Sequence, residues 1–229
     1  MSLILQLETS SEICSVALSY SGNTLYIAES NIPNSHTERL TLLIKECMDQ
    51  AGKSFSQLDA VAISAGPGSY TSLRVGVSTA KGLCYAIGIP LIAIDSLLNL
   101  AYGIDMELIN EADRIIPMID ARRMEVYAAV FKNDYSYFTE TASVILENDP
   151  FHSLTVGEGT IHVCGSGAIK YYDRYQSERI ALHHTKTSAS YMCIPASNKF
   201  EAGQFEDVAY YTPNYFKSPN ITKSVKKYF

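Results

Sequence analysis

The segment of the sequence best suited to chemistry is a glycine-containing turn, Gly66-Pro67-Gly68-Ser69, which separates an apolar run from a long helical pattern. Glycines placed after a strand let the backbone turn tightly, and backbone N–H groups at the start of the next helix can then face an anion. The turn lacks the Lys-Ser/Thr pair of a Walker A loop. From spacing alone, a structural strand-to-helix turn is favoured over an anion-binding site.

Two acidic turns occupy equivalent positions in the two halves of the chain. Glu8 to Ser10 ends the first apolar run, and Asp120 ends a matching run in the second half. A carboxylate at such a turn could hold a metal ion bound to nucleotide phosphates, whereas the structural alternative is a solvated turn. A G-x-G segment at residues 165–167 could touch a nucleotide, although this pattern alone is weak. The candidate nucleotide contacts are Glu8, Thr9, Ser10, Gly66, Gly68, Asp120, Gly165 and Gly167.

The sequence lacks the spacings that metal or nucleophilic catalysis requires. It contains no H-x-x-x-H, H-E-x-x-H or G-x-S-x-G pattern, and its five cysteines include no C-x-x-C pair. The cysteines lie in apolar runs, which is typical of small core residues in a reducing compartment. We therefore predict no metal site and no assembled catalytic centre.

Two amphipathic helices are predicted in the first half of the chain. Residues 35–38 match a capping box that leaves His36 exposed, and apolar residues then recur at helical spacing as far as Gly52. Residues 70–86 form a second helical pattern that ends at Gly88. This second helix carries a stripe of small residues, Ser72, Gly76, Ala80 and Cys84. Such a stripe allows close approach of either the protein's own sheet or a partner helix, and periodicity does not decide between them.

The order of elements predicts an α/β fold made of two similar halves. Three strands in meander order open the chain, and strands and helices then alternate. The second half repeats this pattern after a polar stretch and ends in a helix over residues 188–199, interrupted by Pro195, and an extended tail from Tyr210. We therefore predict an N-terminal lobe over residues 1–106 and a C-terminal lobe over residues 107–229.

Composition and charge exclude several classes of protein. The chain is 47% hydrophobic and 18% charged, which is typical of a globular protein, and its net charge of -6 argues against a protein that grips tRNA alone. We interpret the basic tail of Lys217, Lys223, Lys226 and Lys227 as a solvated terminus. The start of the chain lacks the pattern of a signal peptide, and no apolar stretch is long enough to cross a bilayer. We expect a cytoplasmic protein without membrane contact.

Taken together, these motifs resemble the TsaB (YeaZ) family. The segments that carry the resemblance are residues 8–10, 14–17, 36–40, 66–76, 79–83, 120–127 and 213–216. The resemblance implies a two-lobed actin/hsp70/sugar-kinase-like (ASKHA) fold in which each lobe contains a β-meander followed by a βαβα unit. It also implies a non-catalytic subunit that binds and activates TsaD, the transferase that forms threonylcarbamoyladenosine in tRNA beside the anticodon. Contact with the ATPase TsaE is a further implication.

The resemblance also implies where partners bind. In this family the two helices of the N-terminal lobe pack against the equivalent pair of TsaD, which would here be helices 36–51 and 70–86. The implied contacts are His36, Glu38, Arg39, Leu43, Cys47, Tyr70, Thr71, Ser72, Arg74, Val75, Gly76, Thr79 and Ala80. The chain would reach tRNA indirectly, and ATP or ADP with magnesium would enter through the complex. Without TsaD, the same helices are expected to form a homodimer.

Three alternatives and two departures from the family pattern bear on this prediction. TsaD shares the glycine turn but holds its metal with an H-x-x-x-H pair, whereas Ser96 and Leu100 stand at those positions here and neither offers imidazole. The same missing ligands argue against a metalloprotease. A small sugar- or acetate-kinase-like phosphotransferase using ATP and magnesium is supported by Glu8, Asp120 and the glycine turns. Glu8 replaces a usual Asp and Ser72 a usual Gly, which weakens a metal site and alters the helix stripe.

Overall fold

The computed structural model describes residues 1–30 and 32–217, which contain two five-stranded sheets. The strands of the first sheet are β1 (Leu3–Glu8), β2 (Ser15–Tyr20), β3 (Asn23–Glu29), β4 (Ala60–Ser64) and β5 (Leu91–Ile94). They lie in the order β3-β2-β1-β4-β5, with antiparallel pairing in the opening meander and parallel pairing from β1 to β5. Strands β1, β4 and β5 are buried on both faces, as parallel strands covered by helices require.

The second sheet repeats this topology. Its strands are β6 (Arg114–Asp120), β7 (Glu125–Phe131), β8 (Tyr137–Ile145), β9 (Ile161–Cys164) and β10 (Ile180–His183). They lie in the order β10-β9-β6-β7-β8, so β6 takes the place of β1 and each later strand takes the place of its counterpart. The pairing directions also match those of the first sheet. The β6–β7 and β7–β8 pairs are antiparallel, and the β6–β9 and β9–β10 pairs are parallel. The predicted two-lobed ASKHA fold with a duplicated meander is confirmed.

Six α-helices connect and cover the sheets in the described part of the chain. They are α1 (His36–Gln50), α2 (Tyr70–Ile87), α3 (Ser96–Ala101), α4 (His152–Thr155), α5 (Ala168–Arg174) and α6 (Cys193–Glu201). As predicted, α2 ends at Gly88, which adopts the left-handed conformation. The last helix begins later than predicted, after a 3-10 turn at Ala189–Met192. Pro195 therefore falls in its first turn, where proline is tolerated, and does not interrupt it.

The start of α1 differs from the prediction. Ser35 is the N-cap residue, but its hydroxyl donates to the carbonyl oxygen of Ile32 at 2.7 Å and contacts Ser30 Oγ at 2.8 Å instead of accepting from the helix. The predicted capping box is therefore wrong, because the Ser35 hydroxyl is hydrogen-bonded to the preceding loop. His36 is buried rather than exposed, and burial lowers the pKa of its imidazole.

Two helices each follow one sheet along the chain and pack against the other sheet. Helix α3 follows the first sheet but packs against the second, where Leu97 and Leu100 join a core with Phe131. Helix α6 follows the second sheet but packs against the first, where Ala196 joins a core with Ile92. The two sheets are thus tied together by exchanged helices. A division at residue 106 separates the sheets but not their cores, and it stays a prediction.

The end of the described chain runs back across both sheets. Residues 211–217 contain no helix or strand, and Lys217 forms an ion pair with Glu125 on β7. The other predicted tail lysines, Lys223, Lys226 and Lys227, lie outside the described residues. No helix among residues 1–30 and 32–217 combines the length and hydrophobicity needed to cross a membrane.

Candidate functional site

Helices α1 and α2 form one layer on the first sheet and expose their outer sides. Their inner sides share a core that includes Leu40 and Ile44 of α1 and Val77 of α2. We call the outer side the two-helix face and define it by its exposed residues Glu38, Arg39, Leu42, Lys45, Thr71, Arg74, Ser78 and Tyr85. Most of these residues are separated by three, four or seven positions along their helix, and a 3.6-residue period places such positions on one side.

The structure divides the predicted partner contacts into three groups by their exposure. Glu38, Arg39, Thr71 and Arg74 are exposed, and Tyr70, Val75 and Thr79 are half-buried. The remaining predicted contacts are buried within the lobe; they are His36, Leu43, Cys47, Ser72, Gly76 and Ala80. Side chains buried in this way contribute to packing and do not form an exposed surface, so their assignment to a partner is corrected.

The small-residue stripe of α2 faces the protein's own sheet. A Cβ atom added to Gly76 would lie 2.8 Å from Ile63 Cδ1 and closer still to Thr9 Oγ1, so only glycine allows this approach. The Ser72 hydroxyl lies 3.0 Å from Ser69 Oγ at the start of the helix and is buried there. The interpretation of the stripe as a docking surface is therefore wrong, and packing on the sheet is confirmed.

Two large apolar side chains on the two-helix face were missed by sequence reasoning. Tyr85 of α2 is 87% exposed and Leu42 of α1 is 56% exposed. A tyrosine in such a position is typical of a binding hot spot when a partner covers it, and Leu42 adds exposed apolar area to the same face. The signal that would have found them is their position opposite the inward apolar stripe of each helix.

The tail lies against the first turns of α2. Tyr215 packs on Tyr70 with ring centroids 4.8 Å apart, and the Arg74 guanidinium lies 4.3 Å from the Tyr70 ring centroid. Arg74 Nε donates to the Tyr215 hydroxyl at 3.3 Å, and Lys81 Nζ donates to the carbonyl oxygen of Ala209 at 2.9 Å. These contacts hold the tail beside the two-helix face.

A cleft of about 820 Å³ opens between the two lobes. Its walls come from the β1–β2 turn, the glycine turn before α2, the β6–β7 turn, the segment after β9, residues 182–187 and the tail. Of the predicted nucleotide contacts, Ser10, Gly68, Asp120 and Gly165 line this cleft. Glu8, Thr9, Gly66 and Gly167 do not line it.

Glu8 is enclosed between elements of both lobes. Its Oε1 accepts from the backbone N–H and the hydroxyl of Ser10 at 2.6 and 2.5 Å, and its Oε2 accepts from Asn99 Nδ2 at 3.0 Å. Asn99 is itself held by the backbone of Ser188. Burial raises the pKa of Glu8 to about 7, against the opposing hydrogen bonds from Ser10. A buried carboxyl with both oxygens bonded does not offer a ligand to a metal in the cleft, so its predicted role is corrected.

The carboxylate of the other acidic turn, Asp120, is also bonded to neighbouring groups of the protein. Asp120 Oδ1 forms an ion pair with Lys170 Nζ at 2.6 Å and accepts from the backbone N–H of Arg122 at 2.6 Å. Gly167 donates its N–H to the carbonyl oxygen of Met118, and Gly68 packs so tightly on Ser10 that an added Cβ would lie 2.7 Å from Ser10 Cβ. The glycine turns thus serve close packing. Residues 1–30 and 32–217 contain no cluster of three or more His, Cys, Asp or Glu side chains suited to a metal.

Comparison with known proteins relates the chain to proteins named for threonylcarbamoyladenosine formation in tRNA. A family model described as "TsaD: tRNA N6-adenosine threonylcarbamoyltransferase" matches residues 30–223. The Escherichia coli (strain K12) "tRNA threonylcarbamoyladenosine biosynthesis protein TsaB" is 31% identical over 167 residues, which cover 68% of this chain and 71% of that protein. The chain belongs to the TsaB (YeaZ) family. The TsaB protein of Haemophilus influenzae is 36% identical over 149 residues, which cover 63% of this chain and 62% of its own length.

Structural comparison agrees with TsaB-family membership. The solved structure "YeaZ from Pseudomonas aeruginosa" superposes with a TM-score of 0.79 at 27% identity, covering 94% of this chain and 100% of that chain. The family also has a local relationship to the transferase. The tRNA N6-adenosine threonylcarbamoyltransferase of Geobacillus kaustophilus is 51% identical over 68 residues, which cover 30% of this chain and 20% of that protein.

The two positions at which the resemblance predicts the histidine pair of TsaD, Ser96 and Leu100, lie on α3. Ser96 is fully buried in the first turn of the helix, and Leu100 packs in the core that α3 forms with the second sheet. Asp95 caps the helix by accepting from the backbone N–H groups of Leu97 and Leu98. A hydroxyl and an isobutyl group do not replace two imidazoles as transition-metal ligands.

Proposed function

We propose that this chain is a non-catalytic subunit that binds TsaD through the two-helix face and supports formation of threonylcarbamoyladenosine in tRNA. The observation that carries the proposal is the exposure of Tyr85 and Leu42 on the outer side of α1 and α2. Relatedness to TsaD supports it, because two chains of common ancestry can pack similar helix pairs about a quasi-two-fold axis. Covering these side chains removes apolar surface from water, which drives association.

The carboxylates of the two acidic turns are bonded to protein groups, which supports a subunit that does not itself catalyse a reaction. Glu8 is buried, Asp120 is ion-paired and Leu100 stands where TsaD is expected to hold its metal. Glu8 does not line the cleft, and Asp120 pairs with Lys170 rather than with a second carboxylate, so nothing here favours the phosphotransferase. TsaE belongs to the proposal as a second partner, and tRNA, ATP or ADP and magnesium as components reached through the complex. We expect this complex to work in the cytoplasm.

Changing the exposed apolar residues of the two-helix face is expected to weaken TsaD binding. Leu42→Glu places a charge in the proposed interface and should lower affinity about a hundredfold, because a buried unpaired charge is costly. Tyr85→Ala should lower it about tenfold through lost contact area. Isothermal titration of each purified variant with TsaD measures both effects.

Matched controls separate this effect from general surface changes. Leu108 is 55% exposed and Phe138 on β8 is 49% exposed, and both lie outside α1, α2 and the tail. Leu108→Glu and Phe138→Ala are expected to leave the affinity for TsaD within about twofold. Equal weakening by the control variants, or unchanged binding of Leu42→Glu, would rule out the two-helix face as the docking surface.

The isolated chain is expected to form a homodimer through the same surface. A face that fits a related helix pair also fits a second copy of itself, since an isologous interface needs only self-complementarity. Sedimentation equilibrium should show a dimer for the wild-type chain and a monomer for Leu42→Glu. A wild-type chain that stays monomeric at high micromolar concentration would contradict this expectation.

A further inference from the structure

A hydrogen-bonded chain of three side chains crosses the second sheet from its interior to the cleft. Asp113 precedes β6, His162 lies on β9 and His183 ends β10. Asp113 Oδ2 lies 3.2 Å from His162 Nε2, and His162 Nδ1 lies 2.9 Å from His183 Nε2. Asp113 and His162 are buried, whereas His183 is half-buried and lines the cleft. Neither the family relationship nor the docking proposal assigns a role to these residues.

The charge of Asp113 is stabilised by its neighbours. Its Oδ1 accepts from the backbone N–H of Thr160 at 2.6 Å, and its Oδ2 accepts from the backbone N–H of Asn110 at 2.8 Å. Burial acts to raise the pKa of Asp113, but these donors together with His162 outweigh it and hold the pKa below its usual range. Asp113 is therefore a carboxylate that only accepts hydrogen bonds.

An anionic Asp113 sets the order of protons along the chain. His162 must donate from Nε2 to the carboxylate, so a neutral His162 has a bare Nδ1 that accepts. His183 must then donate from Nε2 to that nitrogen, which leaves its own Nδ1 without a proton. Burial lowers the pKa of His183 and favours this neutral form.

The bare nitrogen of His183 has no protein partner among the described residues, and it is not among their buried unsatisfied atoms. The wall beside it is largely apolar. His183 pairs with Cys164 in the β-ladder, Gly165 follows Cys164, and Leu100 Cδ1 lies 2.8 Å from where a Gly165 Cβ would be. Leu182 and Ile119 line the same cleft. An accessible acceptor is thus fixed next to an apolar wall.

We propose that His183 is a binding residue of the cleft, where its Nδ1 accepts a hydrogen bond from a small molecule that has an apolar or aromatic body and an N–H or O–H donor. The body of the ligand packs on the wall that Leu100 and Ile119 form beside Cys164. Asp113 and His162 act as positioning residues, because they fix which nitrogen of His183 carries the proton. An oxyanion presented at this point meets a lone pair and is rejected.

The proton positions are tested directly on the full-length wild-type chain. Long-range ¹H–¹⁵N correlation spectra at pH 7.5 distinguish protonated from bare imidazole nitrogens in each tautomer. We expect His183 to carry its proton on Nε2 and to have a bare Nδ1. A proton on His183 Nδ1, in either a neutral or a charged ring, overturns the proposal without any variant having to fold.

Benzamide and benzoate form a matched pair of probes for the acceptor. They share shape and aromatic body, but only benzamide has an N–H donor. Arg122 and Lys186 also line the cleft, so unspecific electrostatics would favour benzoate. We expect benzamide to bind about tenfold more tightly and to shift the His183 Nδ1 resonance, since one hydrogen bond contributes up to this factor. Equal or tighter binding of benzoate, or an unmoved Nδ1 resonance with benzamide, overturns the proposal.

Two variants and a control test whether the preference for benzamide depends on the hydrogen bonds among Asp113, His162 and His183. His162→Phe removes the nitrogen to which His183 Nε2 donates, so the tautomer of His183 is no longer fixed, and His183→Phe removes the acceptor. Both are expected to abolish the tenfold preference for benzamide. Asp149→Asn, which changes a carboxyl bonded to Tyr171 in the same lobe, should retain it. A folded His162→Phe chain that keeps the preference would contradict the positioning role.

Discussion

Replacing Gly76 by alanine is expected to destabilise the protein by about 3 kcal/mol, near the upper end for overpacking a core. The added methyl group would lie 2.8 Å from Ile63 Cδ1 and even closer to Thr9 Oγ1. Ile63 on β4 and Thr9, just after β1, are both fully buried beneath α2, so neither is the free end of a flexible surface side chain. Relief requires α2 to move away from the sheet, which would disturb the shared core of α1 and α2. Urea denaturation followed by circular dichroism measures the change.

Gly82 provides a matched control on the same helix. An added Cβ at Gly82 meets no heavy atom within 4 Å. Gly82→Ala should therefore stabilise the protein by up to about 1 kcal/mol, because alanine favours the helix over glycine. Opposite signs for the two alanine substitutions are the expected result. A Gly76→Ala variant as stable as the wild-type chain would show that α2 does not pack on the sheet at this position.

Unfolding of the wild-type chain is expected to depend on pH through Glu8. The pKa of Glu8 is raised from 4.5 to about 7 in the folded protein, so the native state holds this proton more tightly than the unfolded state. The free energy of unfolding should therefore fall as pH rises from about 4.5 to about 7, and the loss should be complete above that range. A shift of this size corresponds to about 3 kcal/mol, since each pKa unit is worth about 1.4 kcal/mol.

Glu8→Gln isolates this contribution. Glutamine does not titrate, so the difference in stability between variant and wild type should shift by about 3 kcal/mol in favour of the variant between pH 5 and pH 8. A constant loss is also expected, because the glutamine Nε2 meets Asn99 Nδ2, which the Ser188 backbone holds as a donor. Urea titrations at several pH values separate the two effects. Glu178→Gln, at an exposed carboxyl, is the control, and an equal pH dependence in that variant would refute the role of Glu8.

Local patterns in the sequence were sufficient for the topology. The meander, the strand–helix alternation and the end of α2 at Gly88 all follow from residue spacing and backbone preference. The repetition of these patterns in the second half was enough to predict the duplicated lobes. These features depend on neighbours along the chain, which is why one sequence reveals them.

The exchange of helices between the lobes was not visible in the sequence. Helices α3 and α6 are short amphipathic segments, and their apolar sides fit either sheet by pattern alone. Which sheet each one covers depends on the path of the chain and on the core left open by the other elements. The enclosure of Glu8 by Asn99 and Ser188 follows from this exchange. Residue spacing in the sequence therefore could not show whether Glu8 is available to a metal.

The helix pair shows most clearly what each level determined about this protein. The sequence by itself predicted helices over residues 36–51 and 70–86, close to the observed α1 and α2, and the small-residue stripe on α2. Only the tertiary structure decided that the stripe with Gly76 faces the sheet and that Leu42 and Tyr85 face outward. Helical periodicity defines two opposite sides but does not state which is buried, because burial depends on residues distant in the chain. The same reason hid Asp113, His162 and His183, which three separate segments bring together.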